Sequence, residues 1–558
     1  MSNFKSAIIY QIYPRSFNDS NGDGVGDLMG IIQKLDYLHD LGVDILWLSP
    51  IFKSPNADNG YDVSDYEAIM TEFGDMDDFD ELLAGVHKRG MRLILDLVVN
   101  HSSDEHPWFV ESRKSKDNPY RDYYIWRAPV PVAADLSQPL QERLPNDWNS
   151  IFSGPAWTYD ETTGEYYLHL FLAKQPDLNW ENPKLREEVY RMMRFWFDKG
   201  VDGFRMDVIP FLSKDQSFPN FPPGRYGDVS LYANGPRIHE FLQEMNCEVL
   251  SRYDSVSVGE GIGVSTDQAN LYVGENRHEL NMIYHFGHAV PRDEHHFIKR
   301  APEFTLLELK HIFDTWNEAL EHGGETGKGW QNIYFGNHDN PRVVSRFGNV
   351  EQYHYESATM LATVLLTQRG TPTIYQGDEI GMTNCQFKSI TEFNDVQVLN
   401  AYKALSGTDG FSDEAFLDSV NYIARDHART PMQWYNGQNG GFTSGRPWLK
   451  VNPNYPSINV ADQQVRDDSI LSFYKKLIRW RKKTPAIWEG TYLDLLPTHP
   501  SIWAYERRIK GQGVIVLANF SEDDVYVPQV ELGEVVLSNY VENALALRPF
   551  EVRILAIY

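Results

Sequence analysis

Four acidic residues stand at the ends of short apolar runs in this sequence: Asp96 in LILDLVVNH, Asp207 in GFRMDV, Glu260 in VSVGE and Asp339 in YFGNHD. Carboxylates brought to one place resist joint ionisation, because like charges a few ångströms apart push one pKa upward. Acid/base work on a neutral substrate is a reason to gather them. A glycosidic bond breaks when one carboxylic acid protonates the leaving oxygen while a carboxylate attacks or stabilises the anomeric carbon. The neighbouring residue types suit that chemistry. Arg205, two residues before Asp207, points to the same side of a strand and is expected to hold that carboxylate ionised. His101 and His338 offer hydrogen bonds to sugar hydroxyls, and Tyr61 offers a ring to a pyranose face. Asp96 with Arg205 reads equally as a buried pair that supports the strands, and Asp62 and Asp65 read as loop or capping residues.

The elements that must position these groups alternate. Ile8 to Tyr13 reads as a strand; Leu28, Ile31, Ile32, Leu35, Leu38 and Leu41 recur at helical spacing, Gly42 stops them, and Ile45 to Leu48 is strand again. Phe79, Leu82, Leu83 and Val86 make a second helix face, followed by strand Leu93 to Val98. Pro183 opens a third helix, which Gly200 ends before strand Gly203 to Asp207. Further strands fall at Ser255–Val258, Met282–Phe286, Asn332–Phe335 and Pro372–Tyr375. Eight parallel strands with intervening helices predict an α/β fold, a (β/α)₈ TIM barrel with its chemistry at the C-terminal strand ends. The acids stand at those ends. Between His101 and Gln175 the rhythm gives way to a Trp/Tyr/Pro-rich stretch too long for an ordinary loop. The expected division is a barrel of residues 1–101 and 175–484, a domain of 102–174 inserted after strand three, and a C-terminal antiparallel β-domain of 485–558, beginning after the helix Asp468 to Lys483.

The balance of charge excludes several partners. With 51 basic and 78 acidic residues, the net charge of −27 repels phosphate backbones and anionic lipid surfaces. Neither a nucleic acid nor a membrane is expected as a partner. The two cysteines, Cys247 and Cys385, form neither a disulfide framework nor a zinc motif, and no apolar run is long enough to span a bilayer. With no export signal at the N-terminus, the reading is a cytoplasmic monomer.

In four ordered segments, DLVVNH, GFRMDV, VGE and NHD, the chain resembles glycoside hydrolase family 13, the α-amylase family, and within it the oligo-1,6-glucosidase and sucrose isomerase group. The likeness extends from QIYPRSF through QPDLN (Gln175 to Asn179) to RTPMQW (Arg429 to Trp434). It implies that Asp207 is the nucleophile, Glu260 the general acid and then base, and Asp339 a clamp on sugar hydroxyls, with retention of configuration. It further implies that Asp58, Tyr61 and Arg425 hold the first glucose, and that Phe152 and Phe171 line the adjoining side, although the same two rings also read as inserted-domain core. An Asp58–Arg425 pair closing the pocket behind one glucose implies exo action on small oligosaccharides or disaccharides.

The loop DSNGDGVGD resembles most of an EF-hand, with oxygens from Asp19, Asn21, Asp23, the Val25 carbonyl and Asp27, but it has Gly30 in place of the final Glu. Similar loops in the group bind calcium, so the expected cofactor is one structural Ca²⁺, with no organic group. In relatives, Val after the nucleophile, here Val208, accompanies a preference for α-1,6 bonds, and Thr accompanies α-1,4. Two other outcomes remain open: an inactive barrel serving as a binding subunit, and an isomerising glucosyltransferase. Sucrose isomerases carry an Arg/Asp-rich loop after strand six, where this chain reads YHFGHAVPRDEHHF (Tyr284 to Phe297), with one Arg-Asp pair and Gly287 in place of an acid.

Overall fold

The computed structural model describes residues 4–130, 143–225, 227–527, 533–541 and 545–557. Its centre is a ring of eight parallel strands: β1 (Ile9–Ile12), β2 (Ile45–Leu48), β3 (Arg92–Leu97), β4 (Gly203–Met206), β5 (Val256–Glu260), β6 (Met282–Tyr284), β7 (Asn332–Ile333) and β8 (Thr371–Tyr375). They lie in the order β6-β5-β4-β3-β2-β1-β8-β7, and a parallel bridge between Ile283 and Gln331 closes the ring. All eight expected strands are present, although β7 is only two residues long. Strands covered on both faces read as unbroken apolar runs, which is why they stand out in the sequence. Seven of them are buried throughout, and β3 is buried from its second residue. Register sets the site: Asp96 of β3 and Val258 of β5 both pair with Arg205 of β4. Close approach explains Gly203, where a Cβ would lie 1.9 Å from the Val256 carbonyl oxygen.

The helices follow the capping chemistry. Asp75 and Asp78 form a reciprocal capping box on helix Met76–Lys88, and the Asn182 side chain caps Pro183–Lys199 while Gly200 ends it at φ 109°. One expectation fails. The spacing from Leu28 to Leu41 suggests a continuous helix, but the structure has two, Leu28–Ile32 and Leu35–Leu41, broken at Gln33–Lys34. Two helices that the sequence pattern did not reveal, Val396–Leu405 and Asp413–Ile423, lie after β8.

Within the stretch between β3 and the third helix, strands Trp126–Arg127, Glu165–Leu168 and Trp157–Asp160 form an antiparallel sheet in that order. Trp148, Phe152, Tyr166 and Phe171 pack there in one cluster with Val208 and Phe211 of the barrel. Residues 131–142 of that stretch lie outside the described residues, as does Tyr558 at the end of the chain. Near the C-terminus, strands Thr491–Asp494, Ile502–Ile509, Gln512–Asn519, Val552–Ile557 and Glu534–Ser538 make a second antiparallel sheet. Among the described residues no helix is long and apolar enough to cross a membrane.

Candidate active site

A cavity of about 370 Å³ opens at the C-terminal ends of the strands. Asp207 and Glu260 sit at its floor, and one guanidinium serves both. Arg205 Nη1 donates to Asp207 Oδ1 at 2.9 Å, and Arg205 Nη2 lies 2.7 Å from Glu260 Oε1. Arg205 Nη1 also donates to Asp96 Oδ1 at 2.7 Å, and its Nε and Nη2 donate to the Tyr284 hydroxyl at 3.0 and 2.6 Å. Such a buried cation needs these carboxylates as much as they need it. Asp96 does not line the cavity; it takes hydrogen bonds from Arg205, Trp47 Nε1 and the Tyr61 hydroxyl.

Arg205 pulls Asp207 towards the charged form as expected, but it is opposed. Burial and the adjacent Glu260 push the Asp207 carboxyl well above its ordinary range, with Arg205 opposing them. Asp207 is thus the member of the pair whose charge is opposed by its surroundings. Val208 fixes the second member: its N–H donates to Glu260 Oε2 at 2.8 Å. To do so it takes φ 36° and ψ 42°, a left-handed conformation that a β-branched side chain rarely adopts.

Asp339 is held differently. Burial would raise its carboxyl, but His338, Arg429 and Arg425 overcome that and keep it well below the usual range. His338 Nε2 lies 3.0 Å from Asp339 Oδ2, and Arg429 Nη2 donates to Oδ1 at 2.9 Å. The ring of Tyr61 stacks on His338 with centroids 5.4 Å apart and planes 7° from parallel, its hydroxyl 2.7 Å from His338 Nε2. His101 lies beneath, its Nε2 3.1 Å from the Tyr61 carbonyl, and burial lowers its pKa to about 4, so it is neutral at physiological pH. Phe152 and Phe171 meet edge to face at 5.6 Å, and both line the cavity.

Asp58 and Arg425 face one another at 4.0 Å, longer than the expected close pair. Arg425 instead donates to Asp395 Oδ1 through Nε at 3.0 Å and Nη2 at 2.6 Å, and its backbone N–H reaches Asp395 Oδ2 at 3.1 Å. Burial raises the Asp58 carboxyl to about 7, against the pull of Arg425. Gln175 Nε2 donates to Asp58 Oδ2 at 3.1 Å, which ties QPDLN to the pocket wall. Asp395, Arg429 and Gln175 were not singled out as site residues by the sequence reading. Arg429 and Gln175 stand in the quoted RTPMQW and QPDLN segments, whereas Asp395 also caps the helix Val396–Leu405, so its local sequence reads as an ordinary cap.

In the Asp19 loop the side chains turn onto the loop's own backbone. Asp19 accepts from the N–H groups of Asn21, Gly22 and Gly24, Asn21 from Asp23, Asp23 from Val25, and Asp27 from Ser20 and Gly30. Among the described residues no three His, Cys, Asp or Glu side chains are gathered to hold a metal. The loop's donor set also draws on Asn21 and a carbonyl, and it is all oxygen, which is the chemistry of a hard cation.

Residues 11–490 match the catalytic domain of the α-amylase family. The chain belongs to that family. It is 51% identical to an oligo-1,6-glucosidase of Parageobacillus thermoglucosidasius, over 99% of this chain and 98% of that protein. An oligo-1,6-glucosidase of Bacillus cereus is 52% identical, with 98% of each chain covered. Among solved structures of α-amylase-family proteins, the isomaltulose synthase SmuA from Protaminobacter rubrum superimposes with a TM-score of 0.94 at 42% identity, covering 100% of this chain and 99% of that one.

Proposed function

We propose that this α-amylase-family enzyme is a retaining, exo-acting α-glucosidase that removes terminal glucose from α-1,6-linked disaccharides and short oligosaccharides. The observation that carries this reading is the single guanidinium of Arg205 joining Asp207 and Glu260 on the floor of the cavity. Two carboxyl groups held so close match the retaining arrangement, in which they lie about 5 Å apart and leave no room for a water between them.

Asp207 attacks the anomeric carbon while Glu260 gives its proton to the departing glycosidic oxygen, and a glucosyl ester forms on Asp207. Water then enters, Glu260 takes its proton, and the ester opens with a second inversion. Asp339, His338, His101 and Tyr61 receive the first glucose, and Asp58 with Arg425 shuts the far end behind it. Phe152 and Phe171 border the leaving sugar. Identity near 50% to two oligo-1,6-glucosidases supports this choice over isomerisation.

Linkage preference is assigned to Val208, which lines the cavity beside the catalytic pair. An apolar branched side chain disfavours a desolvated hydroxyl at that point, whereas the nearly isosteric Thr offers it a hydrogen bond. One such bond is worth about 1 kcal/mol. Val208→Thr should therefore raise activity on maltose relative to isomaltose by roughly tenfold or less. The ratio of kcat/KM for the two sugars in both proteins checks this, and an unmoved ratio would refute the role of Val208.

We also propose that the Asp19 loop holds a structural calcium ion through Asp19, Asn21, Asp23, Asp27 and the Val25 carbonyl. A cation there screens the Asp27 carboxyl, which burial raises and the nearby Asp19 raises further. It acts by mass action on the folded state and takes no part in bond cleavage. Excess chelator should lower the Tm without changing initial turnover at moderate temperature. An unchanged Tm, with no calcium in the purified protein, would overturn it.

A further inference from the structure

Three buried arginines close on one turn at the opposite end of the barrel from the catalytic mouth. The turn Leu366–Gly370 leads from helix His354–Thr367 into the start of β8. Arg481, from helix Ile470–Lys482, donates through Nη1 to the Leu366 carbonyl at 2.8 Å and through Nη2 to that of Gly370 at 3.1 Å. Arg507, from strand Ile502–Ile509 of the C-terminal sheet, donates through Nη1 to the Thr367 carbonyl at 3.0 Å and through Nη2 to that of Gly490 at 2.8 Å. Arg369 belongs to the turn itself, and its Nη2 donates to the Gly329 carbonyl at 3.0 Å.

The exposures of Arg369, Arg481 and Arg507 are 3%, 0% and 0%. Carbonyl oxygens satisfy N–H groups but carry no net charge. Among the described residues the one carboxylate paired with any of the three is Glu321, 3.1 Å from Arg369. Three guanidinium charges thus have one carboxylate in direct contact, with Asp44 and Glu275 acting on Arg481 and Arg369 from farther off, in a place closed to water where a further anion would be stabilising. Burial pushes Arg481 and Arg507 down to about 9, and for Arg507 repulsion from Arg369 and Arg481 adds to it.

The donors are also incompletely used. Arg369 Nη1 and Arg481 Nε are buried without a hydrogen-bond partner, and the amide nitrogen of Gln368 has the Tyr505 hydroxyl nearby but no bond of normal length. Buried donors are almost always paired, and all three lie on or against the same five-residue turn. We infer that the turn Leu366–Gly370 is a binding site for a small monovalent anion of halide size, taken up by Arg369, Arg481 and Gln368. The ion neutralises surplus charge where the barrel, the last barrel helix and the C-terminal sheet meet, and so pins the sheet to the barrel. Halides suit the site because they shed their water more readily than phosphate or sulfate and accept N–H donors from any direction.

The test uses the full chain, melted in potassium chloride, bromide or gluconate at one fixed ionic strength. The Tm should rise with the halide and saturate; at ten times the dissociation constant the unfolding equilibrium constant falls about elevenfold. Gln368→Glu places a carboxylate beside the arginines and should abolish the halide response while keeping the fold. Crystals grown in bromide should show an anomalous peak within hydrogen-bond distance of Arg481 Nε and Arg369 Nη1, a readout that stands even if the variant does not fold. A halide response that does not saturate, or is the same in Gln368→Glu, or bromide peaks at the surface alone, would overturn the site.

Discussion

Asp207→Asn and Glu260→Gln should each lower turnover by at least about a thousandfold while leaving the fold intact, the loss expected for groups whose interactions form in the transition state. Both replacements keep the side-chain volume. Asp207→Asn retains an oxygen able to accept from Arg205, whereas in Glu260→Gln the single amide oxygen serves either Arg205 or the Val208 N–H and not both, so the Tm of that variant should fall modestly with the fold kept. The two variants should differ in one respect. An aryl glucoside whose leaving group departs without protonation no longer needs the acid, so Glu260→Gln should form the glucosyl ester in a rapid burst, whereas Asp207→Asn should not. Initial rates on isomaltose and on such an aryl glucoside, with a melting curve as control, check both. Isomaltose turnover within tenfold of wild type for either protein would overturn the assignment.

Asp395→Asn should reduce kcat/KM on disaccharides by about a hundredfold, because a hydrogen bond to a charged partner contributes about 1.5–3 kcal/mol. Asp395 makes no contact with the glucose seat of its own in this account; it is a positioning residue. Two short bonds to Arg425 keep that guanidinium 4.0 Å from Asp58 and 3.5 Å from Asp339, the distances that leave space for a sugar. With the charge removed, Arg425 turns to Asp58 and Asp339 and occupies the place of the glucose. KM should therefore rise more than kcat falls, and Asp395→Glu should recover part of the loss. A merely structural role would lower the Tm with KM unmoved, and that result would contradict the assignment.

The barrel and its catalytic floor were legible for one physical reason. Strands covered on both faces must be apolar, so the polar residue that ends each run marks the mouth, and Asp207, Glu260 and Asp339 are such residues. Arg205 was legible from the two-residue period of a strand. The ionisation of Asp207 was not, since it depends on how closely Glu260 approaches, which no strand pattern encodes. The back wall was half legible: Asp58 and Arg425 came through the family likeness, while Asp395 lies in a connection whose only local signal is a helix cap. The break at Gln33–Lys34 escaped because the apolar spacing runs across it undisturbed. Val208 was picked out for its side chain, yet its backbone is as informative, since the left-handed turn is what aims its N–H at Glu260.

Cleavage of the α-1,6 bond through a covalent glucosyl-enzyme is tested by time-resolved proton NMR of isomaltose hydrolysis by the wild-type enzyme. The glucose released from the non-reducing end should appear first as the α-anomer and only later mutarotate. Glucose released first as the β-anomer, or isomaltose left intact while maltose is cleaved, would contradict it.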